Sequence, residues 1–430
     1  MNYPDSVQFL YTLGNEIKTA KFGLERIRAV LDSLGRPQDR LHVVHVAGTN
    51  GKGSVCAMLE SALRADGRRT GLFTSPHLSE PTERIRIDGV PLSAERFAGA
   101  FNRIHATVET LVAGGAIDMH TTYFETVTAM ALAVFAEESV DVVVLEVGLG
   151  GRLDATNVIV PDLAVITPVD FDHEAFLGKS LESIAGEKAG ILKPGVPAVF
   201  ARQRPEAERV LADSAASLGV PISRTEEWPV RELVLDARGS SFKLDRSLTV
   251  AARYLQIRCP LAGAHQVENA VTAAVALLQL GVSKSAIESG IANTRWPGRL
   301  EHLSESPEII LDGAHNPAGA RALAAHIQRF YGDRRVRLIY GAMRDKAVAE
   351  ISGILFPLAQ QVIVTAPRQA RALAPETMRQ ISDHADLTTA PGIEAALAMV
   401  AGAAREDVVF VTGSLFLVAE ARAAIIGSKR

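Results

Sequence analysis

The sequence predicts an α/β protein of two units, each a parallel β-sheet with helices on both faces. Two observations support this fold class. Short runs rich in Val, Ile and Leu alternate with amphipathic stretches, a pattern typical of strands buried on both faces of a sheet. The series of runs also begins a second time in the last third of the chain, after proline and glycine interrupt the pattern at residues 296–298.

The first unit contains four apolar runs that we predict to be parallel strands. They are His42–Ala47, Val140–Val147, Leu163–Thr167 and Val196–Phe200. Polar and apolar residues alternate over 222–258, which predicts a short antiparallel insertion.

The second unit repeats the pattern of strands and helices. Its predicted strands are Glu308–Leu311, Val336–Tyr340, Gln361–Thr365 and Val408–Thr412. The helical pattern of 283–294 stops before Trp296, so we place the boundary there and divide the chain into 1–296 and 297–430.

Composition excludes several classes of protein. The 430 residues include 45 basic and 49 acidic side chains, a net charge of −4, which argues against a general nucleic-acid binder. Two cysteines, Cys56 and Cys259, cannot form a disulfide framework or a four-cysteine zinc site. No apolar run reaches the roughly 18 residues of a membrane helix, and no signal peptide is evident. We therefore expect a cytoplasmic protein that binds neither nucleic acid nor membrane.

A glycine-rich turn follows the first predicted strand and precedes a helical stretch. Its residues are Gly48, Thr49, Asn50, Gly51, Lys52, Gly53 and Ser54. Such a turn lets backbone N–H groups surround a polyphosphate at the positive end of a helix, with Lys52 on the terminal phosphates and Ser54 on Mg²⁺. It departs from the standard P-loop because Val46 replaces the first glycine and Gly53 separates lysine from hydroxyl. The alternative is an ordinary glycine-rich turn.

Polar residues also follow the next two strands of the first unit. Glu146 ends one strand, at the edge where open α/β sheets bind ligands, and its carboxylate would complement Ser54 on Mg²⁺. The glycines after Glu146 lack the G-x-G-x-x-G spacing of a dinucleotide site. His173 lies among carboxylates beyond the following strand, and its alternative interpretation is a solvated surface histidine.

Two further groups of residues have both a functional and a structural interpretation. Lys188 is either a surface charge or a lysine near bound metal, whose depressed pKa permits covalent modification. Asp312, His315 and Asn316 follow a strand of the second unit, and Pro317 suits a first helical turn. The structural alternative is a turn in which Asn316 caps the helix.

Taken together, these motifs resemble the folylpolyglutamate synthase/dihydrofolate synthase family, a branch of the Mur ligase superfamily. Matching strings occur in one order along nearly the whole chain. They are Phe22–Ile27, Gly48–Ser54, Thr74–Leu78, Tyr123–Glu125, Glu146–Asn157, Asp172–His173, Phe176–Gly178, Gly186–Lys193, Gly263–Asn269, Trp296–Leu300, Asp312–Pro317 and Thr412–Leu415. The resemblance implies a P-loop-type ATPase domain over 1–296 and a smaller Rossmann-like glutamate ligase domain over 297–430, with ATP between them.

The resemblance also implies roles for individual residues. The loop Gly48–Ser54 would hold the phosphates, and Asn269, Arg299 and Asp312 would contact the nucleotide. The implied metal positions are Ser54, Ser75, Glu146, His173 and Lys188, the last of which matches a lysine that is carbamylated in the family. The implied catalytic residues are Lys52, Lys188 and His315. The implied substrate-binding residues are Thr122, Tyr123, Phe124, Glu125, Leu153, Asp154 and Ala155.

The implied reaction joins L-glutamate to a pterin-bearing acid at the expense of ATP and with Mg²⁺. ATP would phosphorylate the acid, and the glutamate amine would displace phosphate from the acyl phosphate. The acceptor would be dihydropteroate, folate or both, and we expect a monomer. Two alternatives stay open: a cell-wall peptide ligase of the same superfamily, and a P-loop nucleotide hydrolase or switch protein.

Overall fold

The computed structural model describes residues 1–14, 23–245 and 254–427. Phe22 and residues 246–253 of the predicted antiparallel insertion lie outside the described residues. As predicted, the chain is an α/β protein, with a mainly parallel sheet in its N-terminal part and a separate sheet in its C-terminal part.

The N-terminal sheet has eight strands in the part of the chain that the structure describes. They are β1 (Val43–Ala47), β2 (Thr70–Phe73), β3 (Ile85–Ile87), β4 (Val90–Pro91), β5 (Val142–Glu146), β6 (Leu163–Ile166), β7 (Ala198–Phe200) and β8 (Ile222–Arg224). Their order is β4-β3-β2-β5-β1-β6-β7-β8. The neighbouring strands β2, β5, β1, β6, β7 and β8 pair in parallel. At the other end of the sheet, β3 pairs in the antiparallel sense with both β2 and β4.

The sequence-based prediction is wrong at the start of the expected insertion. Residues 222–224 form β8, which pairs in parallel with β7 and completes the main sheet. A helix precedes β8 and supplies the crossover that parallel pairing requires. The antiparallel part is the three-stranded sheet β9 (Val230–Asp236), β10 (Gly239–Leu244) and β11 (Leu255–Cys259).

Helices cover both faces of the main sheet. Those of the N-terminal part are α1 (Tyr3–Thr12), α2 (Glu25–Ser33), α3 (Lys52–Ala65), α4 (Ala94–Ala113), α5 (Tyr123–Glu137), α6 (Glu174–Leu177), α7 (Leu181–Ala189), α8 (Pro205–Ser217), α9 (Ala264–Gln279) and α10 (Lys284–Ala292). Along β1, Val44 and Val46 pack in the core with α3 and α9, whereas Val43 packs in the core with α4 and α5. This alternation buries both faces of the strand, as its continuous apolar run predicts.

The C-terminal sheet contains β12 (Glu301–Glu305), β13 (Glu308–Leu311), β14 (Arg335–Tyr340), β15 (Gln361–Val364), β16 (Leu387–Thr389) and β17 (Asp407–Thr412). Their order is β12-β13-β17-β14-β15-β16; β12 pairs with β13 in the antiparallel sense, and the other pairings that the structure describes in this sheet are parallel. Its helices are α11 (Pro317–Tyr331), α12 (Val348–Leu355), α13 (Pro375–Ile381), α14 (Ile393–Val400) and α15 (Leu415–Gly427). The boundary at residue 296 stays a prediction.

Short 3₁₀ turns connect several of these elements. They are Pro37–Arg40, Pro81–Arg84, Thr225–Glu227 and Phe356–Leu358. Among the described residues, no helix has the length and apolar character needed to cross a membrane.

Candidate active site

One cavity of about 330 Å³ lies where β1, β5 and β6 end and where the C-terminal part meets the N-terminal part. It is lined by every residue predicted to bind nucleotide or metal or to act in catalysis. These residues are Gly48, Thr49, Asn50, Gly51, Lys52, Gly53, Ser54, Ser75, Glu146, His173, Lys188, Asn269, Arg299, Asp312 and His315. Their convergence makes this cavity the candidate active site.

The glycine loop fits tightly between its neighbours at the start of α3. Gly51 has φ +87°, and a Cβ at this position would lie 2.3 Å from Asn269 Oδ1. Gly48 has φ +144°, and a Cβ there would lie 1.8 Å from Thr167 Oγ1. Glycine is therefore required at both positions. Because α3 begins at Lys52, its first N–H groups have no partner within the helix and suit an anion.

The polar side chains of the loop are held by bonds within the cavity. Lys52 Nζ donates to the carbonyls of Gly48 and Thr49, both at 3.1 Å. Ser54 is buried, and its Oγ accepts a bond from Gln266 Nε2 at 3.2 Å. The Lys52 side chain thus folds back over the glycine loop, where it is predicted to bind the phosphates of the nucleotide.

Glu146 is a buried carboxylate at the end of β5. Its Oε2 accepts a bond from the backbone N–H of Ser75 at 3.0 Å. Burial raises the pKa of Glu146, and the nearby charge of Lys52 opposes this effect. A divalent cation would favour the ionised form, since it places positive charge beside the carboxylate.

Lys188 is not the surface charge that one interpretation suggested. Its side chain is buried on α7, and Nζ donates to the carbonyl of Gly48 at 2.8 Å. Burial and the nearby charge of Lys52 lower the pKa of Lys188 to about 7. A large fraction of this amine is therefore neutral near neutral pH, which is the form that reacts as a nucleophile.

A polar cluster around Asp172 joins the N-terminal and C-terminal parts. Asp172 accepts bonds from Lys346 Nζ at 2.7 Å and Asn316 Nδ2 at 3.3 Å, and His315 Nε2 lies 3.7 Å away. Burial raises the pKa of Asp172, but His315 and Lys346 outweigh it and hold that pKa well below its usual range. Burial lowers the pKa of His173 to about 4, so this imidazole is neutral and able to bind a metal.

Arg299 and Asp312 lie at the junction of the two parts. The Asp312 carboxylate accepts bonds from the backbone N–H groups of Leu300 and Ala314, both at 3.0 Å. Burial lowers the pKa of Arg299, although Asp312 and Glu146 oppose the shift. A Cβ at Gly313 would lie 2.3 Å from Arg299 Nη1, so glycine leaves room for the guanidinium. Asp312 thereby orders the junction beside Arg299.

The predicted substrate-binding residues lie outside this cavity. Thr122 caps α5, because its Oγ1 accepts a hydrogen bond from the backbone N–H of Glu125. The Glu125 carboxylate also forms an ion pair with the buried side chain of Arg26. Asp154 accepts bonds from the N–H groups of Leu149 and Thr156 and so orders the loop after β5. None of the seven is among the described residues that line the cavity, and their role stays a prediction.

Phe124 connects this predicted substrate region to the cavity. A Cβ at Gly148, which does line the cavity, would lie 2.5 Å from the Phe124 ring. The neighbouring Tyr123 stacks on Tyr11 with ring centroids 5.9 Å apart, and the Arg84 guanidinium lies 4.9 Å from its centroid. Phe124 thus packs against the loop after β5, and Tyr123 and Arg84 are buried beside the exposed ring of Tyr11.

Several residues of the site were not among the predicted set. Lys346 and Gln266 bond directly to the site residues Asp172 and Ser54. Asn316, for which a functional role and a helix cap were both open interpretations, does cap α11 by accepting from the Gly319 N–H, and its Nδ2 also donates to Asn50 Oδ1 at 3.0 Å. Lys346 follows the carboxyl end of β14, a position that could have indicated it, because ligands bind at that edge of an open sheet.

Comparison with protein families matches both parts of the chain. Residues 91–277 match the Mur ligase middle domain, and residues 298–415 match the Mur ligase glutamate ligase domain. A curated relative from Bacillus subtilis, named dihydrofolate synthase/folylpolyglutamate synthase, is 34% identical over 94% of this chain and 94% of its own length. A folylpolyglutamate synthase of Lacticaseibacillus casei is 33% identical over the full length of both chains.

Solved structures show the same fold over the whole chain. The Mycobacterium tuberculosis folylpolyglutamate synthase complexed with ADP and AMPPCP superposes with a TM-score of 0.90 and 34% identity, covering 99% of each chain. The Escherichia coli FolC in complex with DHPP and ADP gives a TM-score of 0.88 and 34% identity, covering 100% of this chain and 99% of that one.

Proposed function

The chain belongs to the dihydrofolate synthase/folylpolyglutamate synthase family of Mur ligases, and from this premise we propose how its cavity performs ATP-dependent ligation of glutamate to folates. The observation that carries the proposal is the cavity itself. It combines a glycine loop at a helix N-terminus with Arg299 and His315 from the other part of the chain. Relatives with this fold bind ADP, AMPPCP and DHPP.

The nucleotide phosphates occupy the loop Gly48–Ser54. The N–H groups at the start of α3 bind them, and Lys52 leaves its two carbonyl partners to reach the terminal phosphate. Arg299 approaches from the junction and offsets the charge of the transferring phosphoryl group. The acceptor carboxylate takes this group to form an acyl phosphate, and ADP is released.

A magnesium ion fits the oxygen donors of the cavity. Ser54 and the buried carboxylate of Glu146 offer the hard oxygens that Mg²⁺ prefers, with Ser75 nearby. His173 and a carbamylated Lys188 would supply a second position. Such ions offset the negative charge of the phosphates beside the acceptor carboxylate.

Carbamylation of Lys188 requires its neutral amine. The neutral nitrogen adds to the carbon of CO₂ and releases one proton, which leaves an anionic carbamate; a side chain that begins as the ammonium loses a second proton before this step. The pKa of about 7 makes the neutral amine available. We expect activity to fall in CO₂-depleted buffer and to recover when bicarbonate is restored. Activity indifferent to CO₂, with unmodified Lys188 in a metal-bound structure, would reject this assignment.

The glutamate amine must lose a proton before it attacks the acyl phosphate. His315 Nδ1 lies 2.8 Å from the carbonyl of Gly313, so it donates to that carbonyl, and in the neutral ring Nε2 is the atom that would accept the amine proton. Asp172, 3.7 Å from Nε2, stabilises the imidazolium that forms. The amide then forms as phosphate leaves.

The acceptor is dihydropteroate, a folate or both, and we propose both. ADP release is measured with L-glutamate and either dihydropteroate or tetrahydrofolate, and the products are weighed by mass spectrometry. A mass increase of one glutamyl residue on each acceptor supports dual function, whereas an increase on only one reduces the proposal to that activity. ATP turnover without glutamate or acceptor would indicate a nucleotide hydrolase instead. The predicted monomeric state is tested by light scattering.

A further inference from the structure

A second group of metal-binding side chains lies outside the cavity, where α4 and the segment before α5 meet. His105 and Glu109 are one turn apart on α4, and His120 lies two residues before the helix cap Thr122. One ligand atom from each of the three lies within 4.8 Å of the others. The proposed ligase reaction uses none of these three side chains.

The two imidazoles already face each other. His105 Nδ1 lies 3.2 Å from His120 Nε2 and 4.0 Å from Glu109 Oε1. His120 Nδ1 lies 2.9 Å from the Thr121 carbonyl, so in the neutral ring Nδ1 donates to that carbonyl and Nε2 keeps its lone pair. Metal-binding histidines commonly have this arrangement, because the bond at one nitrogen orients the other toward the metal.

Aromatic packing holds the rings in place. The His105 ring stacks on Phe101, with centroids 5.5 Å apart and an interplanar angle of 10°, and meets Phe9 at 4.6 Å. The His120 ring lies 5.5 Å from Phe9. The Glu109 side chain is 61% exposed against 20% for His105, so solvent reaches the group from one side. An ion would thus have a route in and water for its remaining position.

We propose that His105, Glu109 and His120 form a binding site for a divalent transition-metal ion of the Zn²⁺ type. Two imidazoles and one carboxylate suit zinc, whereas Mg²⁺ prefers a shell of oxygens. On binding, the proton on His105 Nδ1 moves to His105 Nε2, so the ring stays neutral and both facing nitrogens offer a lone pair to the ion. The ion would tie α4 to the start of α5, which carries the predicted substrate segment Thr122–Glu125.

The test is a Zn²⁺ titration of the full chain against a chromophoric chelator, with Mg²⁺ in excess to occupy the catalytic cavity. We expect the wild type to bind one Zn²⁺ that His105→Ala and His120→Ala bind at least tenfold more weakly. His42→Ala, at an exposed histidine beside Asp162, is the matched control and should behave as wild type. Co²⁺ should give a visible absorption band in the wild type that both histidine variants lose.

Glu109→Gln decides the result if a histidine variant misfolds, because Glu109 is exposed and its replacement leaves the packing of α4 intact. Weaker Zn²⁺ binding in Glu109→Gln, with an unchanged circular dichroism spectrum, supports the three-ligand site. Equal affinity and stoichiometry in wild type and Glu109→Gln would overturn it. The readout is metal binding, so it is independent of the ligase activity proposed above.

Discussion

Replacing Lys188 with methionine should stabilise the folded protein while it removes activity. The buried ammonium has its pKa lowered from 10.5 to about 7, which means that folding disfavours its charged form. At pH 7 the shift corresponds to roughly 4 kcal/mol of lost stability, at 1.36 kcal/mol for each pKa unit. Methionine has a similar volume and no charge, so Lys188→Met recovers much of that free energy.

The sign of the pH dependence distinguishes this cause from simple repacking. Between pH 7 and 10.5 the unfolded state binds more protons at Lys188 than the folded state, so wild-type stability rises with pH. The methionine variant lacks this dependence. Its stability advantage should therefore shrink by roughly 2.5 kcal/mol between pH 7.5 and 9.5.

Urea denaturation in CO₂-free buffer measures the effect, with Trp228 and Trp296 fluorescence as the probe. Lys179→Met, a change at an exposed lysine, checks that the method itself adds no pH trend. Ligation by Lys188→Met should fall at least a hundredfold, on the order of 3 kcal/mol of transition-state stabilisation. A stability difference that stays constant with pH would refute the assigned pKa, and retained activity would refute the metal-site role of Lys188.

Three other substitutions test the cavity. Lys52→Ala should abolish ligation in saturating ATP yet keep the wild-type circular dichroism spectrum; a near-normal rate would contradict the phosphate assignment. Gly51→Ala should weaken ATP binding and lower the free energy of unfolding by about 1–3 kcal/mol. The control Gly67→Ala should cost less, because Gly67 has a similar positive φ but its Cβ would meet open space. Equal effects of the two substitutions would contradict the tight fit at Gly51. Lys346→Ala should lower kcat/KM roughly thirtyfold, which corresponds to about 2 kcal/mol for breaking the buried pair with Asp172. The control Lys284→Ala, at an exposed lysine, should leave kcat/KM unchanged. Equal kcat/KM values for Lys346→Ala and the wild type would remove Lys346 from the site.

The fold class followed from features that are local in the sequence. The run His42–Ala47 predicted a doubly buried strand, and β1 occupies Val43–Ala47 with every residue buried. The short strands were harder to predict from the sequence. The four residues of β2 were not predicted as a strand, and the three residues of β8 were assigned to an antiparallel insertion although they pair in parallel with β7. A run of three or four residues shows too little periodicity to identify its partner.

The candidate site was predicted to a large extent because its residues follow strands. Glu146 is the last residue of β5, His173 comes after β6, and Asp312 comes after β13; parallel strands bring such positions to one edge. The electrostatic state of the residues was not predictable in the same way. Lys188 could equally have been a surface charge until its burial on α7 and its bond to Gly48 were known.

The order of residues along the chain determined the strands, the glycine loop and the family, since these depend on short-range patterns and matched strings. Only the tertiary structure brought Lys346 and Asn316 onto Asp172, more than a hundred residues away. It also placed the predicted substrate segments outside the candidate active-site cavity and brought His120 to His105. The physical reason is that burial, pKa and contact depend on which side chains folding makes neighbours, and that is decided by the packing of the whole chain.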